Sequence, residues 1–473
     1  MATTRQAHSS VEERRARGKQ ARTRAAVSDH AGWTPAGDRP NPVELLIQQN
    51  ATREPDLVPV RHGRMMVSAF TFYRGGAKIM AADLKDTPTA GLTVQLCGDA
   101  HLSNFGMFAS PERALVFDLN DFDETLPGPF EYDVKRMAAS FTIAARNNAF
   151  SPADVRAATS ASVRAYREAM AGFAKMRTMD VWYAHLSEDE LLTAARGSTA
   201  KNDKKQTQAV KKAEKNLQKA HTRDSLQALS KLGEVVDDRY QIVSQPPIVV
   251  PARELAATGV INADEFDHLI REQLRTYRAT LQDDRRRLLE KFHVVDFARK
   301  VVGVGSVGTR AFIVLLQGRD QQDPLFLQLK EASASVLEDH LPKSRYAQHG
   351  ARVVHGQRMM QATSDIFLGW NKGVDVSRHF YWRQLRDMKG SAEVETMAPF
   401  ALAFYAGICG WTLARAHARS GDPATIAAYL GKSDKFDRAI TDFGERYADQ
   451  NEQDYQAFIK AIRNGDLEAI EGV

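Results

Sequence analysis

The sequence is poor in cysteine and contains no long apolar run. Cys97 and Cys409 are its two cysteines in 473 residues, too few for a disulfide framework or a four-thiolate metal site, and this scarcity suits a reducing compartment. No stretch approaches 18 consecutive apolar residues, and the basic N-terminal segment lacks the apolar region of a secretory signal. We therefore expect a cytoplasmic protein without a membrane span.

Net charge is also small. The chain carries 64 Lys and Arg against 59 Asp and Glu, a balance of +5, which does not by itself indicate a nucleic-acid-binding protein. The basic residues are concentrated in an N-terminal arm and in a lysine-rich run from Lys201 to Lys219. Both segments are more typical of solvated helices or linkers than of a phosphate-binding surface. A nucleic-acid partner is therefore not expected.

What remains is an ordinary globular composition, with 43% hydrophobic and 26% charged residues, in a chain long enough for two or more packed units. Two β-type runs that end in polar loops precede residue 124. A helical pattern runs from Tyr132 to about Lys300, β-type runs follow, and helical texture resumes near Met397. The pattern predicts an α+β protein.

Three glycines of the segment VVGVGSVGTR form the pattern G-x-G-x-x-G at Gly303, Gly305 and Gly308. A helix follows this pattern in dinucleotide-binding turns, whereas a strand follows it in kinase phosphate loops. Here the strand-like run AFIVLL follows. We therefore expect a glycine hairpin, including Ser306, whose backbone N–H groups bind nucleotide phosphates.

A kinase-type site also needs a lysine on the strand after the hairpin, to pair with the phosphates. The run LFLQLKEA supplies Lys330. An apolar strand that ends in one lysine is more often a strand emerging into solvent, but the preceding hairpin favours a functional role here.

Acidic residues for such a site occur earlier in the chain. In GDAHLSN, Asp99 and Asn104 stand five positions apart, the spacing of the aspartate and asparagine in a kinase catalytic loop. Asp99 is the candidate base and Asn104 the candidate amide ligand of a metal ion. His101 lies between them, and we expect its side chain to fix the loop by a hydrogen bond.

A second acidic loop, DLNDFDE, follows one short strand later and contains Asp118, Asp121 and Asp123. Hard cations such as Mg²⁺ prefer oxygen ligands and take some of them from a bound nucleotide. Each of the three carboxylates is therefore a candidate for the principal metal ligand. Together with the glycine hairpin, they indicate a site for ATP and Mg²⁺.

Two rival phosphate chemistries lack their motifs. A two-metal phosphoesterase shares the element G-D-x-H but also needs G-D-x-x-D and G-N-H-[DE] elements, and neither occurs in this chain. A P-loop NTPase needs G-x-x-x-x-G-K-[ST], which is also absent.

The segments CGDAHLSN, ALVF, DFDE and GPFEYDVKR resemble the aminoglycoside and choline phosphotransferase branch of the protein-kinase-like fold. The pattern of that branch is H-G-D-x-H-x-x-N, a hydrophobic strand, D-[FW]-x and G-[DP]-x-x-x-D-L. Asp133 follows Asp121 by twelve positions, close to the interval between the last aspartate and the metal-binding aspartate in that branch. The resemblance thus implies Asp121 as the principal metal ligand, whereas counting from Asn104 favours Asp118. Cys97 stands where the branch usually has histidine.

The order of these motifs differs from that of an ordinary kinase, because the glycine loop and Lys330 follow the catalytic loop. The segment GICGWTLARAHARSG resembles the helix that leads into a kinase catalytic loop, yet no catalytic loop comes after it. Joining the segment near Arg419 in space to the strand before Gly98 restores the usual order. We therefore expect a circular permutation.

Nearly the whole chain, from about Arg39 to about Gly431, resembles the bacterial kinase-like family catalogued as domain of unknown function 2252. The match is carried by FTFYRGGAKIMAADL, CGDAHLSNFG, NDFDETLPGPFEYDVKR, ARKVVGVGSVGTR, LQLKEA, GQRMMQ and LARAHARSGD. It implies an α+β, bilobal, protein-kinase-like fold with a small β-rich lobe and a larger, mainly helical lobe. The expected division is a peripheral arm and linker (1–42), a large lobe with the catalytic and metal loops (43–300), a small nucleotide-binding lobe (301–385) and C-terminal helices that complete the large lobe (386–473).

The function that these features imply is transfer of the γ-phosphoryl group of ATP to a hydroxyl acceptor. Lys330 would neutralise the α and β phosphates, Asn104 and Asp121 would hold Mg²⁺, and Asp99 would orient or deprotonate the acceptor. Two alternatives for the function remain: nucleotidyl transfer, and a nucleotide-binding pseudokinase that acts as a regulatory scaffold. The acceptor is also open, and an antibiotic, a sugar, a lipid headgroup or a protein hydroxyl would each fit. The acidic partner of Lys330 is also open, with Glu338 as one candidate and His355 where the family tends to carry glutamate.

Overall fold

The computed structural model describes residues 9–199, 203–223, 225–236, 239–257, 263–385 and 388–472. Helices and strands are mixed along this part of the chain, which confirms the α+β prediction. The first eight residues of the expected arm, Lys201 of the lysine-rich run, and residue 386, where the C-terminal helices were expected to begin, lie outside the described residues.

Most of the regular structure is helical, and several helices begin at a polar side chain. Ser68 and Thr71, for example, exchange hydrogen bonds between side chain and backbone N–H at 2.9 and 3.1 Å, which satisfies two N–H groups left free by the helix start. The described helices are α1 (Val11–Ala21), α2 (Pro42–Asn50), α3 (Val58–Met65), α4 (Ala69–Gly75), α5 (Ala77–Leu84), α6 (Phe130–Asn147), α7 (Pro152–Phe173), α8 (Thr178–Tyr183), α9 (Glu188–Gly197), α10 (Lys204–His221), α11 (Ser225–Leu232), α12 (Ala252–Ala257), α13 (Ala263–Arg278), α14 (Asp283–Leu289), α15 (His349–Met360), α16 (Pro399–Ser420), α17 (Pro423–Leu430) and α18 (Lys435–Arg463).

The strands form one large antiparallel sheet and smaller pairings. Described strands are β1 (Thr93–Leu96), β2 (Phe105–Ala109), β3 (Leu115–Leu119), β4 (Leu126–Pro129), β5 (Leu186–Ser187), β6 (Gly233–Val236), β7 (Arg239–Ile242), β8 (Val249–Pro251), β9 (His293–Lys300), β10 (Ala311–Gln317), β11 (Pro324–Ala332), β12 (Gly369–Lys372) and β13 (His379–Gln384). The large sheet has the order β12-β13-β11-β10-β9-β8, and β2-β3-β5, β1-β4 and β6-β7 pair separately.

The glycine segment connects two strands of the large sheet. β9 and β10 pair antiparallel, with Arg299 opposite Phe312, so the hairpin predicted at Gly303–Gly308 is confirmed. The sheet also extends further back than residue 301, because β8 and β9 belong to it. These two strands lie in a stretch that the sequence pattern assigned to helix. β8 pairs with β9, with Val249 opposite Lys300, and β9 pairs with β10 across the glycine segment; local periodicity does not report such pairings.

The helical part packs around one large core. α16 lies along α7, while α6 and α18 pack against α7 from other sides. Buried side chains of this core include Phe130, Tyr166, Leu413 and Phe443. Among the described helices, none combines the length and apolar character that crossing a bilayer requires.

The described part of the N-terminal arm packs on the helical part instead of extending from it as a linker. Nε of Arg22, just after α1, donates a hydrogen bond to the carbonyl oxygen of Tyr429, at 2.8 Å. Gly18 is buried against Thr425, and Trp33 belongs to the large core. Residues 9–42 are therefore a folded layer on α17 and α18.

Buried His30 gives a pH-dependent prediction. Its Nε2 lies 2.7 Å from the Tyr429 hydroxyl, and burial, followed by the charge of Lys135, lowers the pKa of His30 to about 3. As the pH falls, His30 is protonated at a higher pH in the unfolded chain than in the folded protein. The stability that neutral His30 contributes is therefore complete above about pH 6.5 and is lost as the pH falls toward 3. We expect the difference in unfolding free energy between wild type and His30→Gln to narrow by up to about 1.4 kcal/mol per pH unit below 6.5. Urea unfolding at pH 7, 6 and 5 measures it, and a constant difference would contradict the assignment.

Candidate functional site

The loop GDAHLSN, which holds the candidate base, begins where β1 ends, and a buried aspartate fixes its backbone. Asp133 accepts hydrogen bonds from the N–H groups of Cys97 and Gly98, at 2.6 and 2.9 Å. Nε2 of His417, on α16, lies 3.1 Å from the same carboxylate. The His417 imidazole, from α16, therefore contacts the carboxylate that fixes this loop. Cys97 contacts the same carboxylate through its backbone N–H group. Gly98 has φ +83°, and a Cβ there would meet the backbone of Glu124, so this turn requires glycine.

Asp99 presents one carboxylate oxygen that is not engaged by its arginine partner. Its Oδ1 accepts hydrogen bonds from Nε and Nη2 of Arg136, at 2.9 and 2.7 Å, while Oδ2 lies 3.6 Å from Nε2 of His101, beyond hydrogen-bond distance. Burial raises the pKa of Asp99, but the charge of Arg136 outweighs it and holds the pKa below its usual range. Asp99 is therefore an oriented, ionised carboxylate whose Oδ2 can accept a hydrogen bond.

The backbone and the Asn104 side chain, and not the His101 side chain, fix the loop GDAHLSN. Nδ1 of His101 has no hydrogen-bond partner among the described residues, so the brace expected of this imidazole is not present. The Asn104 N–H donates to the carbonyl oxygen of His101 at 2.9 Å, and Nδ2 of Asn104 donates to the Asp99 carbonyl oxygen at 2.7 Å. The amide oxygen of Asn104 remains available as a metal ligand.

Asp118 does not line the cleft. Its carboxylate accepts hydrogen bonds from the Arg415 guanidinium and from the N–H groups of Ala362 and Leu119. The side chains of Asp118 and Arg415 are each 1% exposed. Since the carboxylate is enclosed and fully engaged, the structure gives Asp118 a buried ion pair and not the metal-binding position that was one of the sequence-based alternatives.

Asp121 lies between cations. Its Oδ2 accepts a hydrogen bond from Nζ of Lys330 at 2.5 Å, and its Oδ1 accepts one from Nη1 of Arg383 at 2.8 Å. Burial raises the pKa of Asp121, but the charges of Lys330 and Arg383 hold it well below its usual range. Asp121 is therefore ionised, and its cationic neighbours must yield at least one oxygen if the carboxylate is to bind a metal.

Lys330 thus pairs with the acidic loop and not with either residue considered from the sequence. Glu338 caps a short helical turn and lies 3.8 Å from Nε of Arg352. The ring of His355 stacks on Tyr346, with centroids 4.8 Å apart. Neither makes an ion pair or hydrogen bond with Lys330 in the part of the chain that the structure describes.

Asp123 and Glu124 form a second acidic group, on which Lys330 and Arg352 act through their charges without forming an ion pair. The Asp123 carboxylate has no hydrogen bond or ion pair with the described residues, and burial together with the charge of Asp121 raises its pKa. Burial and the charge of Asp123 raise the pKa of Glu124 to about 7. A bound cation would relieve this repulsion, since it favours the charged form of both carboxylates.

Residues 53–64 hold the glycine hairpin from outside. Gly303 and Gly308 adopt φ +67° and +87°, a conformation that favours glycine. Three carbonyl oxygens of the hairpin, those of Gly303, Val307 and Gly308, accept hydrogen bonds from Nη1 of Arg64, Nη1 of Arg53 and the N–H of Glu54 respectively. The hairpin is therefore fastened to the helical part of the molecule.

These segments enclose one cleft of about 360 Å³, which lies within the range of small-molecule sites. It brings together all sequence-predicted site residues except Asp118 and Gly308. Those that line it are Asp99, Asn104, Asp121, Asp123, Gly303, Gly305, Ser306 and Lys330.

Five further cations at the cleft were not found from the sequence. Arg53, Arg74, Arg352 and Lys389 line it, and Arg383 contacts Asp121. Burial and the charge of Arg383 lower the pKa of Lys389 to about 7. Arg74 stands in the segment FTFYRGG, which was noted in the sequence only as part of a family match; the others carry no local signal, because only the tertiary fold brings them to the cleft.

The oxygen ligands suit Mg²⁺ held jointly with phosphates. Among the described residues, no three His, Cys, Asp or Glu side chains already form a metal cage. Mg²⁺, however, is usually held by one or two carboxylates with substrate phosphates. The unengaged Asp123 carboxylate, Asp121 and the amide oxygen of Asn104 provide such a partial ligand set.

Comparison with known proteins identifies a family for this chain but no activity. A family model described as "Uncharacterized protein conserved in bacteria (DUF2252)" matches residues 53–461, which is most of the chain. No curated protein and no solved structure is detectably similar.

Proposed function

The chain belongs to this bacterial family, and from the geometry of the cleft we propose that it is an ATP- and Mg²⁺-dependent phosphotransferase with a protein-kinase-like, bilobal and circularly permuted fold. The observation that carries this proposal is the contact between Lys330 and Asp121, 209 residues apart in sequence and 2.5 Å apart in space, beneath the glycine hairpin. In a kinase-type site the phosphate-binding lysine and the metal-binding carboxylate both act on the nucleotide phosphates, so they lie in the same cleft.

The proximity of distant segments supports the permutation. Oγ of Ser420, at the end of α16, accepts a hydrogen bond from the N–H of Gln95 in β1 at 3.0 Å. In the ordinary kinase order, a helix leads into the catalytic loop at this point. A connection from α16 to β1 would therefore need few residues, and the small lobe would then precede the catalytic loop.

In the proposed reaction each residue has a defined task. The γ-phosphorus bond to the bridging oxygen of ATP breaks, a bond to the acceptor oxygen forms, and the hydroxyl proton passes to Oδ2 of Asp99. Lys330 and the N–H groups of the glycine hairpin bind and orient the phosphates. Asn104, Asp121 and Asp123 would hold Mg²⁺, which supplies neutralisation of the phosphate charge.

Binding of Mg-ATP would rearrange the ion pairs at Asp121. Lys330 would move its contact from Oδ2 of Asp121 to the phosphates, and the released oxygen would face the metal. Arg383 would remain on Oδ1 and keep the carboxylate oriented. Before the nucleotide binds, Lys330 and Arg383 thus neutralise the Asp121 carboxylate and hold the acidic loop in position.

Replacing Lys330 tests the nucleotide site. We expect Lys330→Ala to weaken Mg-ATP binding by about 10- to 100-fold, because one charge-assisted contact to the phosphates is lost. Isothermal titration calorimetry measures the affinity, with Lys212→Ala on α10, whose Nζ is 3.4 Å from surface residue Glu393, as the charge-matched control. Wild-type protein that binds no Mg-ATP would refute the proposal.

A pseudokinase is the second candidate, and the absence of a glutamate partner for Lys330 among the described residues favours it. γ-Labelled ATP with a broad acceptor panel separates the two: binding without label transfer, autotransfer or phosphate release supports the pseudokinase. Transfer of an α-label instead identifies nucleotidyl transfer. Asp121→Asn should remove Mg²⁺-dependent transfer in either enzymatic case.

We also place the protein in the cytoplasm, where ATP is available. Cys97 and Cys409 are both free thiols in the structure and both are buried, which agrees with a reducing compartment.

A further inference from the structure

The cleft contains an arginine that forms no hydrogen bond or ion pair with the residues that the structure describes. Arg74 lines the cleft together with Asp99 and the glycine hairpin. Its Nε is buried without a hydrogen-bond partner, and no hydrogen bond or ion pair to its Nη atoms occurs among the described residues. Its guanidinium lies 5.9 Å from the centroid of the Phe70 ring, and the charges of Glu395 and Asp99 act on it without a hydrogen bond or ion pair. The Arg74 donors therefore remain available to a ligand in the cleft.

The position of Arg74 is fixed by its surroundings. It lies in the last turn of α4, where the preceding residue is tied to the catalytic loop: Nη2 of Arg136 donates to the Tyr73 carbonyl oxygen at 2.9 Å and to Asp99 at 2.7 Å. From the opposite side Gly305 packs closely, since a Cβ there would lie 2.9 Å from the Arg74 carbonyl oxygen. Arg74 thus stands between the base and the glycine hairpin.

Arg53 is a second cation that lines the cleft. Arg53 is 9% exposed; its Nη1 donates to the Val307 carbonyl oxygen, but its Nε is buried and has no partner. Burial lowers the pKa of both Arg53 and Arg74, which reflects the cost of holding these charges away from water. A buried arginine that makes no hydrogen bond to a carboxylate among the described residues suits an anionic ligand.

We propose that Arg74, assisted by Arg53, forms an oxyanion site that binds a phosphate-type dianion between Asp99 and the glycine hairpin. The dianion is either the terminal phosphate of the nucleotide or a phosphate group on the acceptor. This inference deepens the proposed function and, in the choice between these two sources, rests on it. The planar guanidinium binds two oxygens of a phosphate at once, which fixes both orientation and charge.

The chemical consequence differs between the two sources. On the terminal phosphate, Arg74 would stabilise the charge that spreads over the transferred oxygens, as an arginine supplied by the same chain. On the acceptor, it would select a phosphorylated hydroxyl compound and disfavour cationic ones. In both cases the site exists before the nucleotide binds, because α4 and α6 hold it.

Inorganic phosphate and pyrophosphate test the site in the full-length, nucleotide-free protein. We expect Arg74→Gln to weaken binding of these anions by about 10- to 100-fold relative to wild type, measured by calorimetry, and Arg74→Lys to restore part of the affinity because it keeps the charge. Arg146→Gln is the charge-matched control, since Arg146 pairs with Asp449 on the surface. Thermal unfolding of each variant verifies that it is folded.

Nucleotide titrations identify the source of the dianion. If Arg74→Gln weakens Mg-ATP binding but not ADP binding, the site holds the terminal phosphate. If neither nucleotide is affected and ADP-loaded wild type binds inorganic phosphate more tightly than ADP-loaded Arg74→Gln, it holds an acceptor phosphate. Equal affinities of wild type and Arg74→Gln for phosphate, pyrophosphate, ATP and ADP would overturn the oxyanion site. Arg74-dependent phosphate binding without any Mg-ATP binding would support the oxyanion site and overturn the phosphotransferase.

Discussion

Replacing Asp99 with asparagine is expected to lower the rate of phosphoryl transfer by about 10²- to 10⁴-fold, the usual contribution of a positioned base. The side-chain oxygen of asparagine can still accept the hydrogen bonds that Arg136 donates to Oδ1 of Asp99. What disappears is the negative charge at Oδ2, which would receive the acceptor proton. Affinity for Mg-ATP should stay near that of wild type, because Lys330 and the glycine hairpin are unchanged.

Single-turnover release or transfer of label from γ-labelled ATP measures this effect, and calorimetry measures nucleotide affinity in parallel. Asp86→Asn serves as the matched control, since the Asp86 side chain is 54% exposed and lies 3.8 Å from Nζ of Lys85 at the surface. An Asp99→Asn variant that transfers phosphate at the wild-type rate would show that Asp99 is not the base. Loss of both binding and thermal stability would instead indicate a structural role.

Replacing Arg415 with methionine is expected to reduce the free energy of unfolding by about 3–5 kcal/mol, the typical cost of leaving one member of a buried ion pair alone. Arg415 is the charged partner of Asp118, and its Nη1 also donates to the Met360 carbonyl oxygen at 2.5 Å. Both partners of the pair are enclosed, so water cannot compensate for the loss. The Asp118 carboxylate would then be buried with backbone N–H donors alone.

Urea unfolding at pH 7 measures this loss, and a surface pair of the same residue types provides the control. Arg438 lies 3.3 Å from Asp434, and their side chains are 63% and 62% exposed. Arg438→Ala should therefore reduce the free energy of unfolding by less than about 1 kcal/mol. The penalty in Arg415→Met should shrink as the pH falls toward 4, because protonation of the unpaired Asp118 removes the buried charge. Equal effects of the two substitutions would contradict the assignment.

Short-range patterns in the sequence were sufficient to predict the local structure of several parts of the cleft. The glycine hairpin, the position of Lys330 on β11 and the spacing of Asp99 and Asn104 depend on neighbouring residues, and the structure has each of these local forms. Their meeting in one cleft agrees with the sequence-based expectation. Transfer chemistry, by contrast, stays a prediction, because geometry alone does not measure activity.

What the sequence did not reveal depends on contacts between distant segments. Asp118 and Asp121 look equivalent in DLNDFDE, yet Asp118 pairs with Arg415, 297 positions away, and is removed from the cleft. Arg383 and Lys389 acquire a role only because β13 and the segment after it lie beside the acidic loop. Strands β8 and β9 were missed because β propensity depends on the strands that pair with them, β9 and β10 respectively, and not on local periodicity alone.

The way α16 completes the catalytic region has a consequence for synthesis on the ribosome. Asp118 and Asp133 meet Arg415 and His417 only after 297 and 284 further residues have been made. At typical translation rates this delay is about 15–60 s. During that time Asp118 and Asp133 lack their partners on α16, so this region is expected to close after synthesis of α16. A product truncated before α16 would therefore leave both carboxylates without these partners and would be a substrate for chaperones and proteases.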